Sequence, residues 1–97
     1  MTKALKFREI QPRPMNYRLR IDVSLKPGHS DPEGETTARL LKELGYRVET
    51  VSVSKGYIVI LESNSESTAR SKAEEMCKRL LVNPTKDNYV ITVEGEE

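Results

Sequence analysis

A two-layer α+β sandwich, an antiparallel sheet with two helices on one face, is predicted by three features of this 97-residue chain. The first is an alternating stretch over residues 16–25, with Tyr17, Leu19, Ile21, Val23 and Leu25 on one face. Arg18, Arg20, Asp22 and Ser24 fall on the other, the mark of a half-buried strand. The second is the change to helical spacing just after Pro27-Gly28. The third is a return to short apolar strands and a second helical stripe, which gives the order β-α-β-β-α-β.

The elements follow in order. Residues 1–15 contain Pro12 and Pro14, lack periodicity and are basic, so they are expected to be an extension outside a single domain at 16–97. After the first strand, Pro27 and Gly28 form a tight turn. Asp31 is placed to cap a helix and Pro32 suits its first position, where a missing N–H costs nothing. That helix is predicted over Pro32–Leu44, with Leu40, Leu41, Leu44 and Thr37 buried and Gly45 at its end.

A second strand is expected at about Arg47–Ser54, turning at Lys55-Gly56 into a third at Tyr57–Leu61. This third strand is apolar on both faces. Ile58 and Ile60 would lie opposite the helices, so they are candidates for self-association. The second helix is expected to start near Ser65, with Ser63 and Glu66 as a capping box. Its buried stripe is Ala69, Ala73, Met76, Cys77 and Leu80, and Asn83-Pro84 ends it. A last strand at Tyr89–Val93 and an acidic tail at Glu94–Glu97 complete a ferredoxin-like arrangement.

Composition narrows the function classes. A hydrophobic content of 36% in 97 residues suits one small core. A net charge of +1 argues against a general nucleic-acid or membrane binder. The aromatic residues that an RNA-stacking sheet face needs are not present on the outward positions. The single cysteine allows no internal disulfide and suggests a reducing cytoplasm. No run is long enough to span a membrane.

Catalytic chemistry is not expected. His29 lies in a turn without an obvious partner, and Asp31 is used as a cap. Cys77 falls on an apolar stripe, the setting of a structural thiol. Glu74-Glu75 and Lys78-Arg79 read as a solvated helix face. Metal-ligand spacing and phosphate-loop signatures are lacking. No catalytic, cofactor-binding or metal residue is therefore assigned.

Two motifs exceed what local structure requires. One is Leu25-Lys26-Pro27-Gly28…Asp31-Pro32-Glu33-Gly34, followed by Leu41…Leu44-Gly45-Tyr46. The other runs Cys77-Lys78-Arg79-Leu80-Leu81-Val82-Asn83-Pro84…Asp87-Asn88-Tyr89. Together they closely resemble the PurS family, the small subunit of phosphoribosylformylglycinamidine (FGAM) synthase, over about residues 16–94. The resemblance implies a non-catalytic subunit for step four of purine biosynthesis. It would bridge a glutaminase (PurQ) and a synthetase (PurL), form a dimer or tetramer with itself, and help ammonia pass between the two sites.

On that reading the chain binds no cofactor alone, and ATP, Mg and glutamine are used by the partner subunits. Lys26, Gly28, Gly34, Asn83, Pro84 and Tyr89 become the candidate partner interface, and Ile58 and Ile60 the candidate self-association surface. The alternative from a different class is a dimeric regulatory module binding a small metabolite. A nucleic-acid binder using the basic extension is a third.

Overall fold

The computed structural model describes residues 14–97. All but the last two residues of the basic extension expected at 1–15 lie outside that range. Strand β1 (Met15–Leu25) is the centre of a three-stranded sheet. Strands β2 (Lys55–Ser63) and β3 (Asp87–Glu96) flank it, both antiparallel to it, in the order β2-β1-β3. Helix α1 (Pro32–Glu43) follows β1, and helix α2 (Glu66–Met76) lies between β2 and β3. The chain is thus an α+β protein with an antiparallel sheet and two helices, one strand shorter than predicted.

The core follows from the alternation of β1. Tyr17, Leu19, Ile21 and Val23 are buried, and Leu19 and Ile21 are fully so. Register pairs Leu19 with Val59 and Val93, and Ile21 with Tyr57 and Ile91, so apolar side chains from all three strands share one face. Helix α2 closes that face with Ala69, Ala73 and Cys77, all fully buried. Small residues at i, i+4 and i+8 let the helix axis approach the sheet closely.

Five expectations need correction. Residues 46–54 form no strand, and β2 starts directly at Lys55. A two-residue hairpin turn needs positive φ, which Asn-Gly or Asp-Gly supplies and Lys-Gly does poorly. Gly56 adopts no positive φ and pairs with Asp22 inside the ladder, so the chain runs straight on. As a result α1 contributes no residue to the core cluster, and Leu40 and Leu44 are exposed rather than buried.

Leu80 is also exposed, at 82%. Residues Cys77–Leu81 form a π turn, in which Val82 N–H donates to the Cys77 carbonyl at 3.0 Å. The extra residue in this turn shifts the helical phase by one position, and Leu81 and Val82 pack on the core instead. The cap of α2 is Ser65, whose hydroxyl accepts from Thr68 N–H at 3.1 Å. Finally, the expected acidic tail is largely strand: Glu94–Glu96 belong to β3, and Arg18 holds Glu94 at 2.9 Å.

Candidate interaction site

The two sequence motifs meet at one end of the sheet. Because β1 pairs with β3 through Leu25 opposite Asp87, the loop leaving β1 lies beside the loop entering β3. Lys26 N–H donates to the Lys86 carbonyl at 2.7 Å, and Lys26 Nζ donates to the Pro84 carbonyl at 2.8 Å. An ammonium on a carbonyl is a charge-assisted hydrogen bond, and here it ties residues 58 positions apart.

Each loop is also fixed from within. Gly28 has φ of +88°, the left-handed conformation the Pro-Gly turn requires, and His29 N–H closes the turn on the Lys26 carbonyl at 3.3 Å. Asn83 organises the second loop. Its side-chain oxygen accepts from Thr85 N–H at 2.9 Å, and its carbonyl accepts from Asp87 N–H at 2.8 Å. Asp87 answers by accepting from Asn83 N–H at 2.9 Å. This reciprocal turn is why Asn and Asp stand four residues apart.

Behind the clamp is an open cavity of about 420 Å3 that includes Lys26, Lys78, Val82, Pro84 and Tyr89 among its lining. Tyr89 is held by its hydroxyl, which donates to Glu74 Oε2 on α2 at 2.6 Å. That bond, with some desolvation, holds the phenol above its ordinary pKa. Burial, helped by Glu74, likewise pushes the Cys77 thiol up, as befits an unreactive core thiol.

Of the six candidate interface residues, the structure brings Lys26, Asn83, Pro84 and Tyr89 together, with Gly28 on the adjoining turn. Gly34 sits elsewhere, in the first turn of α1. A Cβ there would strike the Val51 carbonyl and lie 2.6 Å from Asp31 Oδ2, so the glycine allows residues 51–53 to pass against the helix. Asp31 holds both pieces, accepting from Gly34 N–H at 3.0 Å and from Val53 N–H at 2.9 Å. These two bonds, Val53 first, lower its carboxyl pKa. Ile58 and Ile60 lie on the face away from α2, each nearly half exposed and opposite Arg20 and Arg18.

Sequence reading did not reveal the Asp31–Val53 latch or the Tyr89–Glu74 bond, since neither leaves a spacing signal. The Lys26–Pro84 clamp had a faint one, a residue in each of the two over-specified motifs. Among the described residues, no group of three metal-ligating side chains converges, and no helix is long and apolar enough to cross a membrane.

The fold and its clamped loops define a small α+β subunit whose most specific residues shape a surface. Comparison makes this particular. The family model described as PurS, phosphoribosylformylglycinamidine (FGAM) synthase, matches residues 18–95. The PurS subunit of Methanocaldococcus jannaschii is 39% identical over 82 residues, covering 84% of this chain and 99% of that one. Among solved structures, the Thermotoga maritima PurS subunit aligns with TM-score 0.78 at 28% identity, covering 84% of this chain and 94% of that chain. The PurS chain in the structure of PurLQS from the same organism aligns with TM-score 0.75 at 29% identity, covering 80% and 96%. The chain belongs to the PurS family and is a PurS subunit of FGAM synthase, in purine biosynthesis.

Proposed function

We propose that this chain is the non-catalytic assembly subunit of its FGAM synthase, joining a PurQ glutaminase to a PurL synthetase. The complex converts formylglycinamide ribonucleotide to FGAM with ATP and glutamine, and ATP, Mg and glutamine are handled by the partners. The observation that carries this reading is the Lys26–Pro84 clamp. It joins two motifs far apart in sequence into one fixed surface. Support also comes from the assembly of the Thermotoga maritima relative, a PurLQS complex.

The chemistry suits such a role. Ammonia reacts as the neutral base and is lost to protonation in bulk water, so a glutaminase and a synthetase gain from a subunit that closes their junction. The loop surface at Lys26, Gly28, Asn83, Pro84 and Tyr89 supplies the contact, and the chain forms a dimer or tetramer in which Ile58 and Ile60 are covered. A Lys26→Ala/Asn83→Ala variant gives up the clamp and the Asn83 turn bond, so it is expected to stay folded with a slightly lowered melting temperature while failing to co-purify with the synthetase and glutaminase. Retained co-purification would show that the loops are structural only.

A further inference from the structure

Helix α2 carries a polar stripe that runs along β3. Arg70, Glu74 and Lys78 recur at i, i+4 and i+8 and so fall on one side of the helix. Arg70 Nη1 donates to the Ile91 carbonyl at 3.0 Å, and Glu74 Oε2 accepts from the Tyr89 hydroxyl at 2.6 Å. Four helical residues rise about 6 Å, close to the advance of two strand residues. The next rung brings Lys78 to the loop before β3, where it lines one cavity with Lys26, Val82, Pro84 and Tyr89.

Lys78 is the rung with nothing to hold. It is exposed, and among the described residues neither Lys78 nor Lys26 belongs to an ion pair. The two carboxylates nearby are engaged, Asp87 by the Asn83 N–H at 2.9 Å and Glu74 by Tyr89. Lys26 is anchored on the Pro84 carbonyl, which uses one of its three donors. One anchored and one free ammonium thus border an open space of about 420 Å3, with Val82 and Pro84 as its apolar lining.

The kind of anion follows from how the loop spends its amides. The N–H groups of Lys26, Val82, Asn83, Thr85, Lys86 and Asp87 all donate to other atoms of the chain. These amides therefore form no cradle for a phosphate. Two ammoniums on flexible stems beside an apolar lining suit a carboxylate side chain on the surface of another protein.

We propose that Lys26 and Lys78 grip an acidic side chain of the glutaminase subunit, whose apolar neighbour rests on Val82 and Pro84. The glutaminase is the occupant because ammonia leaving it is useful only when delivered, so its outlet must be held against this chain. The cavity shares no lining residue with Ile58 and Ile60, so self-association through that face does not compete for it. The inference rests on the assembly role proposed above and names the chemistry of one of its contacts.

Zero-length cross-linking tests it, since a carbodiimide joins a lysine amine only to a carboxylate in contact with it. The assembled complex of this chain with PurQ and PurL is treated, and its linked peptides are identified by mass spectrometry. The expected product is an amide from Lys78 or Lys26 to an aspartate or glutamate of PurQ. Lys78→Arg keeps the charge but forms no such amide, and is expected to lose the link at position 78 and still assemble. Lys78→Glu is expected to weaken PurQ binding about tenfold or more, with PurL binding retained. Links only to PurL, links only within this chain, or no link from either lysine would overturn the proposal. Normal PurQ binding by Lys78→Glu, with Lys26→Ala/Asn83→Ala failing to assemble, would sink the carboxylate contact and leave the assembly role standing.

Discussion

The sheet with α2, and the arm made by α1 and its returning segment, use similar sequence patterns to opposite ends. In the body, the alternating face of β1 is sealed under Ala69, Ala73 and Cys77. In the arm, a leucine stripe of helical spacing stays in contact with water, and the local order comes from polar bonds. Asp31 caps one end and latches Val53. At the other, Gly45 at φ +99° closes the helix, with Tyr46 N–H donating to the Leu41 carbonyl at 3.1 Å. An apolar stripe thus announces that a face will be covered, and says nothing about which molecule covers it.

The contrast can be broken from the body first. Ile21→Ala removes a fully buried side chain at the centre of the sheet. It is expected to cost about 2–5 kcal/mol, since the rigid layer of α2 above it collapses only in part. For a domain of this size that lowers the melting temperature by at least about 8 °C, which calorimetry would read.

Gly34→Ala acts on the arm and is expected to be smaller. The added methyl meets the Val51 carbonyl and the Asp31 carboxylate, so the returning segment must move. Overpacking of this kind costs about 1–3 kcal/mol. Here it should appear as faster amide exchange at Val53, with amides of β1 unchanged. Faster exchange throughout β1 and β3 as well would mean that arm and body are one cooperative unit.

Acid is the gentlest probe. The Asp31 carboxyl is held below its ordinary pKa by the Val53 and Gly34 amides. Its contribution is therefore complete above the unfolded value of about 3.9 and is lost as pH falls through the lower folded value. Amide exchange at Val53 and Gly34 should rise over that acidic window while the β1 core stays protected. Loss of protection at Val53 already near neutral pH would contradict the latch.

Much of the body was legible because its signals are local. Strand β1 was placed within one residue of its start, and Asp31, Pro32 and Gly45 bracketed α1 through the chemistry of its ends. What escaped depends on tertiary closure. The strand at 47–54 was read from the alternation of Val51 and Val53, but a strand exists only where an edge receives it. Leu80 was assigned inward from a period of 3.6, which a π turn interrupts. In the site, Lys26 and Pro84 stood out as over-specified, yet only the β1–β3 register puts one upon the other. Gly34 stood out equally, and the structure gives it a place inside the arm.

The central claim is that the clamped loops serve assembly and the passage of ammonia, with the chemistry done by partners. The most direct test is the turnover of reconstituted FGAM synthase with glutamine and, separately, with free ammonia, using wild-type chain and the Lys26→Ala/Asn83→Ala variant. The account predicts that the variant loses glutamine-dependent turnover while ammonia-dependent turnover persists. Equal loss of both, or loss of neither, would contradict it.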